Sequence, residues 1–115
     1  MKQGLASRLR HRVRLEEPNL VDNGNGGRMA LAGQPKWRTV VDRLPAEVIP
    51  LRGEVATQHL VERQSQLWRV TIRSRTGLTI ANRLIYGDTV MAIRAIAPTD
   101  KRDGLVLSCE SGRPS

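Results

Sequence analysis

The residues best suited to do chemistry in this chain are its arginines, sixteen against three lysines. Many stand at every second position along two short stretches, Leu9-Arg10-His11-Arg12-Val13-Arg14-Leu15 and Trp68-Arg69-Val70-Thr71-Ile72-Arg73-Ser74-Arg75. A guanidinium is planar, permanently charged and donates through a rigid fork, so its natural partners are carboxylates and phosphates held bidentately. Period-two alternation puts successive side chains on opposite sides of a strand. Leu9, His11, Val13 and Leu15 are therefore expected on a core face, with Arg8, Arg10, Arg12 and Arg14 opposite. In the second stretch Trp68, Val70 and Ile72 should point inward and Arg69, Thr71, Arg73 and Arg75 outward. The outward set either solvates a sheet or meets a partner, and the preference for arginine over lysine favours the partner.

The other reactive residue types do not assemble into a site. His11 and His59 lie in different elements, and Glu62 near His59 has no third ligand at metal spacing. His11 alternates with Leu9 and Val13, which reads as a half-buried sheet residue without the partner group that a general base requires. Cys109 is the single cysteine, so no internal disulfide forms, which fits a reducing compartment. It reads as a small apolar residue in a terminal strand, with no cation placed to activate a thiolate. Gly24, Gly26 and Gly27 are interrupted by Asn25 and lack a following Lys-Ser/Thr pair, so they do not form a phosphate-binding P-loop. No enzyme, metal site or cofactor is expected.

These side chains need elements to carry them. At 115 residues and 39% hydrophobic content the chain suits one domain with a modest core, built from Val, Leu, Ile and Ala because Phe is absent and only two Trp and one Tyr are present. A domain of this size buries only about two-thirds of its unfolded surface, so association would stabilise it. The net charge of +8 and pI near 11.2 call for acidic partners: nucleic acid, an anionic membrane or acidic protein surfaces. No run approaches the ~18 apolar residues of a membrane span, and the basic N-terminus lacks the apolar core of a signal peptide, so a cytoplasmic product with no membrane partner is expected.

Along the chain, Pro18 ends the first strand, and residues 22–36 read as a long Gly- and Asn-rich loop. Extended segments are expected at residues 37–41 and 46–51. Residues 54–64, free of Gly and Pro, form the one plausible helix; Glu54 and Arg63 complement its dipole, and Ala56 and Leu60 share a face. Strands at 68–75, 83–86, 89–96 and 105–109 follow. Gly87-Asp88 marks a tight hairpin and Asp103-Gly104 a second turn. The expectation is a mainly β fold, a small antiparallel barrel or sandwich with one short helix and a long Gly-rich loop, in a single domain over residues 1–110 with a loose tail at 111–115.

The order of motifs carries a resemblance. It runs from Gly4-Leu5 through Leu9-Arg10-His11-Arg12-Val13, a long variable loop, a Trp37 strand, Pro50-Leu51-Arg52-Gly53-Glu54 entering the helix, and Val70-Thr71-Ile72-Arg73. Gly87-Asp88, Met91-Ala92-Ile93 and Leu105-Val106-Leu107-Ser108-Cys109 complete it. Over nearly the whole chain this resembles the head closure proteins of tailed bacteriophages, also called head-tail adaptor, joining or stopper proteins. The chain departs from the usual pattern at Ser74, where an aromatic residue often follows the Ile-Arg pair, and in the length of the 22–36 loop. The resemblance implies a small β-barrel forming a homo-oligomeric ring, hexamer or dodecamer, in the virion neck. The ring would be assembled in the host bacterial cytoplasm beneath the portal and adaptor, above a tail completion protein, with genomic double-stranded DNA passing through it.

A ring that must later release its genome cannot hold DNA with a dense array of cations, since six to ten phosphate contacts change affinity by about a thousandfold over modest salt steps. Arg10, Arg12, Arg69 and Arg73 are therefore expected to face neighbouring subunits or adjoining rings. The channel loop has two candidates. One is the Gly-rich segment, where Gly24, Gly26 and Gly27 permit hinge motion and Arg28 and Lys36 can meet phosphate; as a surface loop it would instead dock on the adaptor or tail. The other is residues 52–66. A nucleic-acid-binding barrel acting alone is the alternative, although it would lack the aromatic platform of single-strand binders and any helix-turn-helix or zinc module.

Overall fold

Alternating apolar residues in six segments close into one sheet. The computed structural model describes residues 4–22, 24, 26–30, 32–51 and 65–112. A single helical turn, α1 (Leu5–Arg8), leads into β1 (His11–Pro18), followed by β2 (Leu20–Asp22), β3 (Arg28–Ala30), β4 (Trp37–Pro50), β5 (Ser65–Arg73), β6 (Arg83–Tyr86), β7 (Thr89–Pro98) and β8 (Gly104–Gly112). The order β1-β4-β5-β8-β7-β6 is antiparallel throughout and closes as a barrel where Arg14, Leu15 and Glu16 pair with Ile85, Leu84 and Arg83. Closure removes most sheet edges and leaves one interior, which decides between barrel and sandwich.

That interior is filled by the inward residues the alternation selects: Val13, Leu15, Leu44, Val48, Val70, Ile72, Leu84, Met91, Ile93, Leu107 and Cys109. Trp68, Leu78 and Tyr86 pack against this cluster from its margins, and Trp68 Nε1 donates to Ser111 Oγ at 2.7 Å. An indole in a small core needs such an acceptor for its N–H. β8 thus continues through Ser111 and Gly112, the first two residues of the segment read as tail, and Ser111 is buried.

Several local expectations are corrected. Arg8, expected on the outward face of the first strand, instead ends a helical turn over residues 5–8. The two segments at 37–41 and 46–51 are one strand of 14 residues, in which Pro45 pairs with Arg12 in regular register and the shifts against β1 fall between Leu44 and Thr39. Residues 22–36 are not all loop: β2 and β3 pair in register, Val21 opposite Met29, as a separate two-stranded sheet. His11 is exposed rather than half-buried; Tyr86 meets it edge-on, with the hydroxyl 3.0 Å from Nδ1. Thr71 is 1% exposed although its face points out of the barrel; α1 and the 99–103 turn cover it. The helix expected over residues 54–64 lies outside the described residues.

The tight turns behave as their residues dictate. Tyr86 pairs with Thr89 across Gly87-Asp88, and Gly87 carries φ +61°, the arrangement of a hairpin whose first linking residue is glycine. In the β7–β8 turn the positive φ falls on Arg102 rather than on a glycine. Gly104 serves a different need: a Cβ there would sit 2.5 Å from the Ile72 carbonyl oxygen and 3.1 Å from Leu5 Cδ2.

Candidate functional site

The Gly-rich segment becomes an arm with a built root. Asn19 N donates to the Lys36 carbonyl at 2.8 Å and Asn19 Nδ2 to the Pro35 carbonyl at 2.9 Å, so one residue ties the outgoing and returning chain together. Beyond that tie β2 and β3 pair, and Gly24 and Gly26 take φ of +83° and +81° at the tip. Such angles cost L side chains but not glycine. Arg28 opens β3 and is exposed, Lys36 is exposed at the root, and Gly27 is half-buried between tip and strand. The arm therefore gathers all five residues Gly24, Gly26, Gly27, Arg28 and Lys36.

The root itself is anchored by charge. Glu16, 7% exposed, accepts from Arg83 Nε at 2.7 Å and from Arg14 Nε at 3.0 Å. The Arg83 guanidinium lies 4.2 Å above the Trp37 ring, a cation–π contact at the first residue of β4. Glu17 binds Arg38 across the β1–β4 pair at 2.7 Å. Carboxylates with fork-shaped donors hold geometry as well as charge, so the strands that carry the arm are fixed where they leave the barrel.

The strand arginines divide into two groups. Arg8, Arg14, Arg38, Arg83 and Arg94 are ion-paired to Glu47, Glu16, Glu17, Glu16 and Glu110 within the chain. Arg10, Arg12, Arg69 and Arg73 are exposed, and none forms an ion pair among the described residues. Arg10 donates to the Ser7 carbonyl and Arg12 to those of Leu9 and His11. These four do not form one cluster: Arg10 and Arg12 precede or begin β1, Arg69 and Arg73 lie on β5, and β4 runs between the two strands. The division follows the few glutamates, whose cross-strand partners are invisible in linear spacing.

Arg69 lines a cleft of about 560 Å³ between α1, the outer face of β5 and β8, and residues 98–103. Leu5, Thr71, Pro98 and Val106 supply its apolar lining, while Glu47, Asp100, Lys101 and Asp103 supply charge. Arg8 closes α1 onto Glu47, Nη2 at 2.7 Å and Nε at 3.3 Å from its two oxygens. That hydrogen-bonded guanidinium holds the Glu47 carboxyl below its usual range, and the charge of Arg69 adds to it. Cys109 is buried in the core, and burial pushes its thiol up to about 12, away from thiolate chemistry. Among the described residues no three His, Cys, Asp or Glu side chains gather as metal ligands, and no helix is long and apolar enough to cross a membrane.

A small closed barrel with a projecting arm and a guanidinium-rich exterior is a module made for contact. The chain belongs to the phage head completion protein family, whose sequence model matches residues 5–112. Two solved structures share the fold. A solution structure of a protein from Shigella flexneri 2a is similar with a TM-score of 0.65 and 17% identity, over 97% of this chain and 100% of that one. A chain in the virion of a native gene transfer agent particle is similar with a TM-score of 0.58 and 22% identity, over 90% of this chain and 93% of that one. No curated protein matches the chain by sequence. Family membership makes this a structural virion protein of the phage head-tail region.

Proposed function

We propose that the protein forms a homo-oligomeric ring, a hexamer or dodecamer, that closes the DNA-filled head and offers the platform on which the tail attaches. It sits in the virion neck below the portal and adaptor and above a tail completion protein, and is assembled in the host bacterial cytoplasm. The observation that carries this reading is the arm of a head completion family member, tied at its root by Asn19 and anchored by Glu16 while its tip is glycine-rich. A stiff base with an adaptable end suits a segment that reaches into a channel. Arg28 and Lys36 are the arm's candidates to meet DNA phosphate there. Arg10, Arg12, Arg69 and Arg73 serve contacts with neighbouring subunits and rings.

Deleting residues 23–27 and measuring DNA loss from tailless heads tests the arm. The expected result is faster leakage with the chain still incorporated; unchanged retention would assign gating elsewhere and leave the arm as a docking element. The net charge of +8 favours one other reading, a basic barrel that binds nucleic acid on its own. Its signature would be tight duplex binding by the isolated monomer that falls steeply with salt.

A further inference from the structure

Arg10 and Arg12 are held in place without being neutralised. Arg10 Nε donates to the Ser7 carbonyl at 3.0 Å, and Arg12 Nη1 donates to the carbonyls of His11 at 3.1 Å and Leu9 at 3.4 Å. These acceptors carry no net charge, so the guanidiniums are oriented while neither charge is offset. Both side chains are exposed, and each keeps further N–H donors for a partner. A cation fixed before it binds gives up little rotamer freedom on binding, which is the property of a prepared anion site. The chain enters β1 between the two, so they stand on one outward face roughly 7 Å apart. Arg14 follows on the same face with its Nε already on Glu16.

The carboxylates of β1 and β4 are spoken for. Glu47 belongs to Arg8, Glu17 to Arg38, and Glu16 is shared by Arg14 and Arg83. Asp42 adjoins Arg43 on β4, so that each offsets the other. Nor can further copies of the chain supply what is missing. Of 19 Lys and Arg against 11 Asp and Glu, setting aside the five arginines and four glutamates paired above leaves 14 cations over seven carboxylates. Identical copies bring both in that same ratio, so matched one for one they leave half of these cations unanswered.

We propose that Arg10 and Arg12 receive an acidic, extended segment of a different virion protein, with Asp or Glu at alternate positions. Alternate residues of an extended chain are also about 7 Å apart on one face, which lets two carboxylates meet two guanidiniums, each through paired N–H donors. This rests on the ring reading above and specifies the contact with an adjoining ring. The same reading disfavours duplex DNA as the occupant. Two such guanidiniums from each of six copies would set on the order of twelve cations on one duplex, more than the six to ten contacts that already hold DNA strongly.

Carbodiimide coupling in assembled particles is the test, because it joins a lysine amine only to a carboxylate already in contact. Arg10→Lys with Arg12→Lys keeps both charges and supplies the amines; the wild-type chain, whose three lysines lie elsewhere, gives the background. Peptide mapping is expected to find position 10 or 12 joined to Asp or Glu of a different virion protein. Separately, Arg10→Gln with Arg12→Gln removes the charges but keeps N–H donors for the Ser7, Leu9 and His11 carbonyls. It should hold the melting temperature and lower the amount of that partner per particle by about tenfold. A link to a second copy of this chain, no link at either position, or a glutamine variant whose only defect is DNA loss overturns the proposal. Counting chains per particle keeps the two readings apart: several copies without the link sinks this contact alone, and a single copy sinks the ring as well.

Discussion

Gly104 shows how a single residue can be chosen for what it lacks. Its φ is not left-handed; the site is closed instead by the Ile72 carbonyl oxygen, 2.5 Å from where a Cβ would be. Gly104→Ala must push β5 and β8 apart and is expected to lower stability by about 2 kcal/mol, roughly 8 °C in Tm, measured by thermal unfolding. Gly4→Ala, with nothing within 4 Å, should move Tm by a degree or two at most. The dipeptide Asp103-Gly104 announces a turn from composition alone, but the close approach that makes glycine necessary depends on a strand more than thirty residues upstream. Glu16 is similarly hidden. Its neighbours in sequence make it look like one more surface charge after Leu15, while its burial comes from Arg83 and Asn82, brought across by closure of the barrel.

At the scale of elements, alternation was a good guide wherever a strand has a single covered face. Val13, Leu15, Val70 and Ile72 lie inward as their spacing requires, and the strand at residues 83–86 was legible to its ends because Gly87-Asp88 punctuates it. Thr71 and His11 depart from the pattern because a second layer covers Thr71, while His11, with Tyr86 edge-on beside it, stays exposed. α1 is that second layer, held by Leu5 over Gly104 and by Arg8 on Glu47. Because Glu47 titrates below its usual range when folded, the ion pair contributes fully above the carboxyl's unfolded value and is lost as pH falls through the lower folded value. α1 should therefore loosen in acid, seen as faster amide exchange in residues 5–9, with Glu47→Gln loose at every pH. An acid response equal in wild type and Glu47→Gln would show that another group controls the turn.

For the whole molecule the excess of cations becomes a question of distribution. Among the described residues five arginines are paired with four glutamates, so nearly all of the net charge of +8 is carried by the rest of the chain. Arg12→Glu combined with Arg73→Glu breaks no ion pair among the described residues and should leave Tm unchanged, yet lower incorporation into particles by about tenfold, or ~1.4 kcal/mol. Normal incorporation would return these side chains to the role of solvating the sheet. Linear spacing identified which arginines point outward; it could not say which were already spoken for, since every partner glutamate but that of Arg14 lies on another strand. The tie at Asn19 has a consequence for how such a protein can diversify. With both ends of the arm fastened at one asparagine, residues beyond it can be lengthened, shortened or exchanged without altering the register of β1 on β4. The arm is thus a cassette: one barrel can carry different arms by changing only what lies past its clasp.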